Sequence, residues 1–205
     1  MAEFKLLING YARITKSGYR ASSAVVLVRD SGKIILVDPG CNEVRLLASL
    51  KKEKIKPSDI DYIFLTHFHL DHILNIRLFP KTTILDVDTI YKGDRGVLYG
   101  TSTVALAKVD KKCVPGTKIE VIPTPGHAYE HGSLLMQTEK GKVAIAGDIF
   151  WWVDGEKQKL DYKSLVNKAD PFVKNKKQLI ASRKLLLKKA DWIIPGHGET
   201  FEVKK

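Results

Sequence analysis

Three histidines and an aspartate lie within six consecutive positions of the chain, in the segment THFHLDH at residues 66–72. Imidazole and carboxylate groups are good ligands for zinc and related divalent cations. In extended backbone, residues two apart point the same way. His67, His69 and Asp71 are therefore expected to face one spot, while the intervening phenylalanine and leucine face the core. His72 needs a turn of the chain, which would let it serve a second metal.

The other three histidines lie in two further loops, and each loop follows an apolar run. Before His127, Pro125 and Gly126 predict a tight turn that can aim the imidazole inward. His197 has glycine on both sides, which permits close approach of the backbone. His131 follows four residues after His127. Alone, each loop is compatible with a plain turn, but together with the first segment they indicate a metal site.

Two aspartates stand at the ends of strand-like runs. Asp148 follows a run that ends in glycine, and its two oxygens could bridge two cations. Asp38 could accept the free N–H of a ligating histidine and fix its tautomer. For Asp38, a turn aspartate that caps backbone groups is an equally good interpretation.

Apolar runs of strand length alternate with amphipathic helical segments along the chain. Asn42 is predicted to cap a helix to about Lys52 that carries Val44, Leu47 and Ala48 on one face. The stretch 88–116 is predicted to be irregular. Strands are predicted at Ser22–Val28, Lys33–Val37, Asp61–Leu65, Thr83–Val87, Lys118–Ile122, Ser133–Gln137, Lys142–Ala146 and Trp192–Ile194.

A second helix is predicted over Lys176–Ala190, capped by Asn175, with Leu179, Leu186 and Ala190 on one face. The order of elements, strands then helix then strand, occurs twice. It predicts two layers of sheet covered on the outside by helices. Pro-Gly-His, at residues 125–127 and again at 195–197, is consistent with two halves.

The chain has 205 residues, which suits one domain over residues 1–205. Its formal charge of +11 would attract nucleic acid or acidic small substrates, although the lysines are spread and a well-solvated surface is the favoured interpretation. No signal peptide and no membrane span are recognised in the sequence, so a cytoplasmic location is expected. The sequence leaves a homodimer open.

The ordered motifs resemble the metallo-β-lactamase superfamily. The matching elements are His67-x-His69-x-Asp71-His72, Gly126-His127, Gly147-Asp148 and Gly196-His197-Gly198, together with Asp38-Pro-Gly at the end of an early strand. Within the superfamily, the segments 67–80, 146–150 and 190–198 are most similar to the metallo-β-lactamase domain-containing protein 1 group. The resemblance implies an α+β fold, a four-layer αββα sandwich with metals at the mouth between the sheets.

The resemblance also implies a division of the ligands between two divalent ions, with zinc favoured over iron or manganese. His67, His69 and His127 would hold the first ion, Asp71, His72 and His197 the second, and Asp148 would bridge them. His131 has no ligand counterpart and is assigned, like Asp38, to the surroundings of the ligands or the pocket wall. Tyr129, Trp151 and Trp152 follow ligand positions and are predicted to line the pocket, with core packing as the alternative.

The chemistry expected of such a site is hydrolysis. Divalent cations lower the pKa of bound water to about 7, and two of them can share one hydroxide for attack on a carbonyl or phosphoryl centre. Asp71 could orient that hydroxide or move its proton. A small ester, thioester or lactone is the favoured substrate, as in the glyoxalase II branch that the chain resembles. A phosphodiesterase or endoribonuclease acting on RNA, an iron-dependent sulfur dioxygenase and a non-catalytic binding module are the alternatives.

Overall fold

The computed structural model describes residues 1–98 and 112–204. Within these residues, fourteen strands form two large sheets and one separate hairpin. The strands are β1 Glu3–Ile8, β2 Tyr11–Thr15, β3 Gly18–Ser22, β4 Val25–Asp30, β5 Lys33–Val37, β6 Tyr62–Phe64, β7 Thr83–Leu85, β8 Thr89–Lys92, β9 Arg95–Leu98, β10 Glu120–Pro123, β11 Gly132–Thr138, β12 Gly141–Trp151, β13 Trp192–His197 and β14 Phe201–Glu202.

The first sheet has the order β1-β4-β5-β6-β7-β8-β9, and the second has the order β10-β11-β12-β13-β14. Neighbouring strands are parallel where β5, β6 and β7 pair and where β12 pairs with β13. The hairpin consists of β2 and β3. The helices are α1 Glu43–Lys52, α2 Leu70–Ile73, α3 Tyr162–Asn167 and α4 Lys176–Lys189, with short 3₁₀ turns at Pro57–Asp59 and Leu74–Leu78.

The two sheets pack face to face because alternate residues of their strands are apolar on the inner side. Val26 and Val28 of β4 share one buried cluster with Leu134 and Met136 of β11. The outer face of β4 is apolar as well, and its Leu27 belongs to a cluster with residues of α1. Strands buried on both faces need a covering layer on each side. The predicted αββα sandwich is confirmed.

Both predicted helix caps are present. The Asn42 side chain accepts a hydrogen bond from the backbone N–H of Arg45 at 3.2 Å, and Asn175 accepts one from Gln178 at 3.1 Å. In α4, the predicted apolar face is buried against the second sheet. Arg183 lies in the middle of that face, where its guanidinium donates to main-chain carbonyls of residues 149, 166 and 168.

The predicted apolar face of α1 is wrong. Leu46 and Leu50, four residues apart, are the residues buried against the first sheet. Val44 is 79% exposed, and Leu47 and Ala48 are also exposed. Positions 44, 47 and 48 also have helical spacing, so the spacing alone did not decide which stripe faces the core.

Three further expectations need correction. The stretch 88–116 is not irregular in its first part, where β8 and β9 extend the first sheet. Residues 112–116 form turns and one isolated bridge, as expected, and residues 99–111 lie outside the described part. The strands before residue 18 were not predicted. One Pro-Gly-His segment lies in the loop between β10 and β11 and the other in β13, and all three strands are in the second sheet, so their similarity does not relate the two halves. In the described residues, no helix combines the length and the apolar character that a bilayer crossing requires.

Candidate metal centre

The histidine-rich segment lies where β6 ends and the backbone changes from extended to helical. His69 is still extended, with φ −69° and ψ 142°, and α2 begins at the next residue. This change sends Asp71 and His72 to a different side from His67 and His69, which face the same spot. Phe68 and Leu70 do not face the core as expected, because they are 45% and 70% exposed.

One group of nitrogens comes from His67, His69 and His127. His69 Nδ1 lies 3.0 Å from His67 Nε2 and 3.1 Å from His127 Nε2. His67 and His127 are fully buried, whereas His69 is half-buried. Three ring nitrogens therefore meet at one point beside the ends of β6 and β10.

A second group consists of Asp71, His72 and His197. His197 Nε2 lies 3.1 Å from Asp71 Oδ2, and His72 Nε2 lies 3.9 Å from the same oxygen. His72 and His197 are buried, and the side chain of Asp71 is 25% exposed. This group combines residues of α2 with the last residue of β13.

Asp148, in β12, lies between the two groups and directs one oxygen to each. Its Oδ2 is 3.4 Å from His127 Nε2 and 3.8 Å from His67 Nε2. Its Oδ1 is 3.2 Å from His72 Nε2 and 3.6 Å from His197 Nε2. A carboxylate in this position can serve two cations at once.

Oxygen atoms on the far side of four imidazole rings fix which ring nitrogen carries the proton. His72 Nδ1 lies 2.8 Å from Asp38 Oδ2, and His127 Nδ1 lies 2.7 Å from Asp170 Oδ2. The main-chain oxygen of residue 11 lies 3.0 Å from His197 Nδ1, and the hydroxyl of residue 66 lies 3.1 Å from Nδ1 of His67. When Nδ1–H donates to these oxygens, each Nε2 presents a lone pair to the centre.

The residues present fit divalent cations. His72 Nε2 and Asp148 Oδ1 are buried and lie 3.2 Å apart, but within the described residues neither atom has a hydrogen bond of good geometry. Buried polar atoms are costly unless they find a partner. Lone pairs of several imidazoles that face one another and a carboxylate repel unless a positive charge lies among them. Nitrogen and oxygen donors of this kind suit zinc, iron and manganese.

Burial and the charges of neighbouring residues shift the pKa values of His67, His72 and Asp148. Burial, together with the neighbouring His72, holds the pKa of His67 well below its usual value. Burial acts in the same direction on His72, but Asp148 and Asp38 outweigh it and raise the pKa of His72 well above the usual value. Burial opposes ionisation of Asp148, yet His72 and His197 hold the pKa of that carboxyl well below its usual range.

Two glycines let the backbone approach closely at the centre. A Cβ on Gly196 would lie 1.9 Å from Asp148 Oδ1, so any side chain there would displace the Asp148 carboxylate. Gly126 has φ +136°, and a Cβ there would lie 2.2 Å from the backbone nitrogen of Leu179. Glycine at these two positions therefore allows the centre to pack against β12 and α4.

A cavity of about 910 Å³ opens in front of the two groups. His69, Asp71, Asp148 and His197 are at its base. Its walls are largely apolar and aromatic and come from the hairpin, α1, α2 and the segment that follows α3. They include Ile14, Tyr19, Val44, Leu70, Leu74, Trp151 and Phe172.

The three aromatic residues that were predicted to line the pocket, Tyr129, Trp151 and Trp152, lie in different places. Trp151 lines the cavity, with its ring 6.3 Å from that of His197. Trp152 does not; it is 3% exposed and packs on Phe201 in the core. Tyr129 is 68% exposed and is not part of the cavity wall. Trp151 and Trp152 are adjacent at the end of β12, where successive side chains point to opposite faces. Tyr129 lies in the turn between β10 and β11.

His131 is buried behind the first group. Its ring stacks on that of His67 with centroids 5.1 Å apart, and its Nδ1 lies 2.9 Å from the Thr124 hydroxyl. Asp38 is also buried and accepts from the backbone N–H of Thr66 at 2.8 Å as well as facing His72. His131 and Asp38 thus contact the candidate ligands His67 and His72, respectively.

Sequence reasoning missed two groups of residues. Asp170 supports His127 from 43 positions away, in an irregular segment with no recognisable signal. The hairpin was missed although its strands alternate in polarity, because they are short and largely exposed. Phe172, from the same segment as Asp170, lies 6.3 Å from the ring of His69.

Comparison with known proteins gives consistent matches. The family model of the metallo-beta-lactamase superfamily matches residues 18–197. Metallo-beta-lactamase domain-containing protein 1 from Xenopus laevis is 30% identical over 203 residues, which cover 98% of this chain and 81% of that protein. The Homo sapiens protein of the same name is 33% identical over 82% of this chain, and the match spans only 59% of its length.

Two other matches concern the chemistry and the fold. An N-acyl homoserine lactonase from Bacillus cereus is 29% identical over 110 residues, covering 50% of this chain and 43% of the lactonase. A crystal structure of a Thermotoga maritima protein assigned to the metallo-beta-lactamases superposes with a TM-score of 0.68. It has 23% sequence identity and covers 98% of this chain and 99% of its own.

Proposed function

The chain belongs to the metallo-beta-lactamase superfamily, and on that premise we propose that it is a hydrolase that uses two divalent metal ions, with zinc as the favoured metal, to cleave a small ester, thioester or lactone. The observation that carries this proposal is the position of Asp148, which directs Oδ2 to one group of ligands and Oδ1 to the other. Relatives of this chain include a lactonase and a hydroxyacylglutathione hydrolase, which supports hydrolysis as the reaction class.

The seven candidate ligands would be divided between the two ions as follows. His67, His69 and His127 would hold the first ion. Asp71, His72 and His197 would hold the second, with Asp148 shared. Divalent cations in such a site supply a water of lowered pKa and polarise the bond under attack.

Asp71 is the side chain that would handle the proton. Burial raises its pKa, but the hydrogen bond with His197 and the charge of His72 outweigh burial, so the pKa of Asp71 is lowered and the carboxylate is ionised at neutral pH. Only Oδ2 faces His197, which leaves Oδ1 to accept a proton from the attacking water. Asp71 also lines the cavity, so this oxygen is close to where a substrate would lie.

The cavity favours a small substrate with an apolar part. Its volume of about 910 Å³ is in the range of small-molecule sites. Trp151 and Phe172 lie with ring centroids 5.9 Å apart and form one side of it. These rings would pack on the substrate and exclude water from the reacting bond.

A panel assay on the zinc-loaded protein tests the proposal. The substrates are p-nitrophenyl esters, thioesters, acyl lactones, bis-p-nitrophenyl phosphate and short RNA. We expect turnover of the ester, thioester or lactone class, and none by Asp148→Asn. Tyr129→Phe is the matched control, because Tyr129 lies outside the cavity, and it should retain full activity. Absence of turnover on every substrate in a protein with two metals per chain would contradict the proposal.

A phosphodiesterase or endoribonuclease acting on RNA is the second candidate, and the charge of +11 favours it. In the same panel, turnover of bis-p-nitrophenyl phosphate or RNA that falls steeply with salt would replace the first proposal by the second. Oxygen uptake with a persulfide, in protein that retains one iron per chain, would instead identify a sulfur dioxygenase.

A further inference from the structure

We propose that the substrate carries an anionic group, a carboxylate or a phosphate, and that this group binds in a basin formed by Arg13, Arg20 and Arg45 beside the metal centre. The inference rests on the proposed hydrolase function and deepens it, because it names the substrate class as an acidic ester, thioester or lactone. We call the space between these side chains the arginine basin.

The first observation is a pair of like charges within the hairpin. Arg13 of β2 and Arg20 of β3 are directly opposite each other in the antiparallel register. Like charges in such cross-strand positions destabilise a hairpin. Both residues are exposed, and within the described residues Arg20 forms no ion pair. An arrangement that costs stability is explained if an anion binds between the two side chains.

Nearby carboxylates do not neutralise this charge. Asp154 accepts from Nε of Arg13 at 3.1 Å, which leaves the terminal nitrogens of that guanidinium able to donate to another group. Glu43, on the cavity wall, is paired with Arg77 instead. In the part of the chain that the structure describes, Asp154 is thus the one carboxylate partner of the three guanidinium groups, and it pairs with Arg13.

The third guanidinium is held in place from α1. The guanidinium of Arg45 lies over the Tyr11 ring, 5.3 Å from its centroid, and the Tyr11 hydroxyl accepts from Asn42 Nδ2 at 3.0 Å. Together these residues and the two hairpin arginines enclose a space of about 150 Å³. Arginine suits such a place because its planar fork can donate two parallel hydrogen bonds to one carboxylate or phosphate.

The basin adjoins the cavity in front of the metal centre. Arg13 and Arg20 line both spaces, whereas Ile14 and Tyr19, on the other face of the hairpin, line only the larger cavity. The base of the hairpin is fixed to the site because the Tyr11 carbonyl oxygen faces His197 Nδ1. A substrate could therefore place its anionic end on the arginines, its apolar part on the hairpin and its scissile group at the metals.

The shape of the basin favours one small anion over a polymer. Its lining consists of five residues, with α1 on one side and the hairpin on the other. The exposed apolar side chains Ile14, Tyr19 and Val44 border the adjoining cavity. A nucleic-acid groove would continue as a positive track with stacking rings, whereas here the charge is confined to one end of an apolar cavity.

Matched substrates test the inference through turnover. We expect the zinc-loaded protein to hydrolyse mono-p-nitrophenyl succinate with a higher kcat/KM than p-nitrophenyl butyrate, which has the same chain length and no charge. Arg20→Met should lower kcat/KM for the succinate ester about tenfold, through KM, and should lower kcat/KM for the butyrate ester far less. Arg95→Met removes the same charge from an exposed strand outside both spaces, and it should change neither ester.

Calorimetric titration gives a readout that does not depend on turnover. Succinate and inorganic phosphate are the two probes, and they distinguish a carboxylate site from a phosphate site. We expect one of them to bind the zinc-loaded protein about tenfold more weakly in Arg20→Met than in Arg95→Met. Ester turnover with equal anion binding in the two variants would overturn the arginine basin and leave the hydrolase proposal intact.

Two further outcomes are decisive. Weaker anion binding in Arg20→Met, in a protein that hydrolyses no ester, would support the basin and contradict the hydrolase. Tighter binding of short RNA than of either small anion, lost equally in Arg20→Met and Arg95→Met, would overturn the inference in favour of a diffuse nucleic-acid surface.

Discussion

The two sheets contribute to the metal centre in different ways. The first-sheet candidate ligands, His67, His69, Asp71 and His72, lie within six consecutive residues, and one change of backbone conformation at α2 distributes them between the two groups. The second-sheet candidates, His127, Asp148 and His197, come from the loop after β10, from β12 and from the end of β13. The first set depends on local geometry and the second on the packing of distant segments. Substitutions in the two sets should therefore differ in what they damage.

The largest effect is expected for Asp148→Asn, because Asp148 directs one oxygen to each group. Loss of one charged oxygen should weaken the binding of both ions. The content of both ions after dialysis should therefore fall, and activity should disappear. Elemental analysis of the dialysed protein, with wild type in parallel, measures this. Retention of two ions per chain by the variant would contradict the bridging role.

One ligand from each set gives the direct comparison. His69→Ala and His197→Ala should each lose activity and release metal. His69 is half-buried, and within the described residues its ring contacts only other rings, so the fold should remain within about 0.5 kcal/mol of wild type.

His197→Ala should also destabilise the metal-free protein by about 1 kcal/mol, because its ring bonds the Tyr11 carbonyl oxygen. Chemical denaturation of the two metal-free variants measures the difference. Equal stability of the two would remove the distinction between the sets, and full turnover by His69→Ala would count against the metal centre itself.

The residues that support the ligands should have smaller effects. Asp38→Asn and Asp170→Asn each weaken the acceptor for one Nδ1–H, on His72 and His127 respectively. Substitutions of this kind typically cost about 10- to 100-fold in metal affinity or activity. Competition with a zinc chelator measures the affinity. An unchanged affinity in both variants would show that the packing of the rings alone fixes their orientation.

The mildest test is a change of pH. In the metal-free protein, Asp148 and Asp38 raise the pKa of His72 well above 6.5, in spite of burial. This ion pairing stabilises the metal-free protein fully below pH 6.5 and is lost as the pH rises through the raised pKa. Metal must displace that proton, so zinc should bind more weakly as the pH falls. Thermal unfolding with and without zinc should show a difference in Tm that grows from pH 6 to 8; a constant difference would contradict the protonation of His72.

Most of the fold could be predicted from the sequence where local rules apply. Asn42 and Asn175 begin helices because their side chains bond backbone N–H groups one turn ahead. The buried face of α1 could not be predicted, because its sequence carries two apolar stripes and the position of the first sheet decided between them. The strands β8 and β9 are short, and they are held in the sheet because β8 pairs with β7 and β9 pairs with β8.

The candidate site could be predicted where ligands are close in sequence or follow an apolar run. Asp170 could not be found, because its role depends on where the segment after α3 meets His127. Trp151 and Trp152 look equivalent in sequence, and only the direction of the strand sends one into the cavity and the other into the core. Convergence of side chains from two sheets follows from tertiary structure rather than from local propensity.

The close approach of Gly10 and Gly196 has a consequence for how the protein forms. A Cβ on Gly10 would lie 1.9 Å from the Gly196 carbonyl oxygen, which also accepts from the Ala24 N–H at 2.7 Å. Segments nearly two hundred positions apart must meet before this packing exists. Such distant pairing is slow because the entropy of closing the intervening loop opposes it. We therefore expect His197 to reach the centre late in folding, whereas the histidines of the first sheet are already close to one another in the chain.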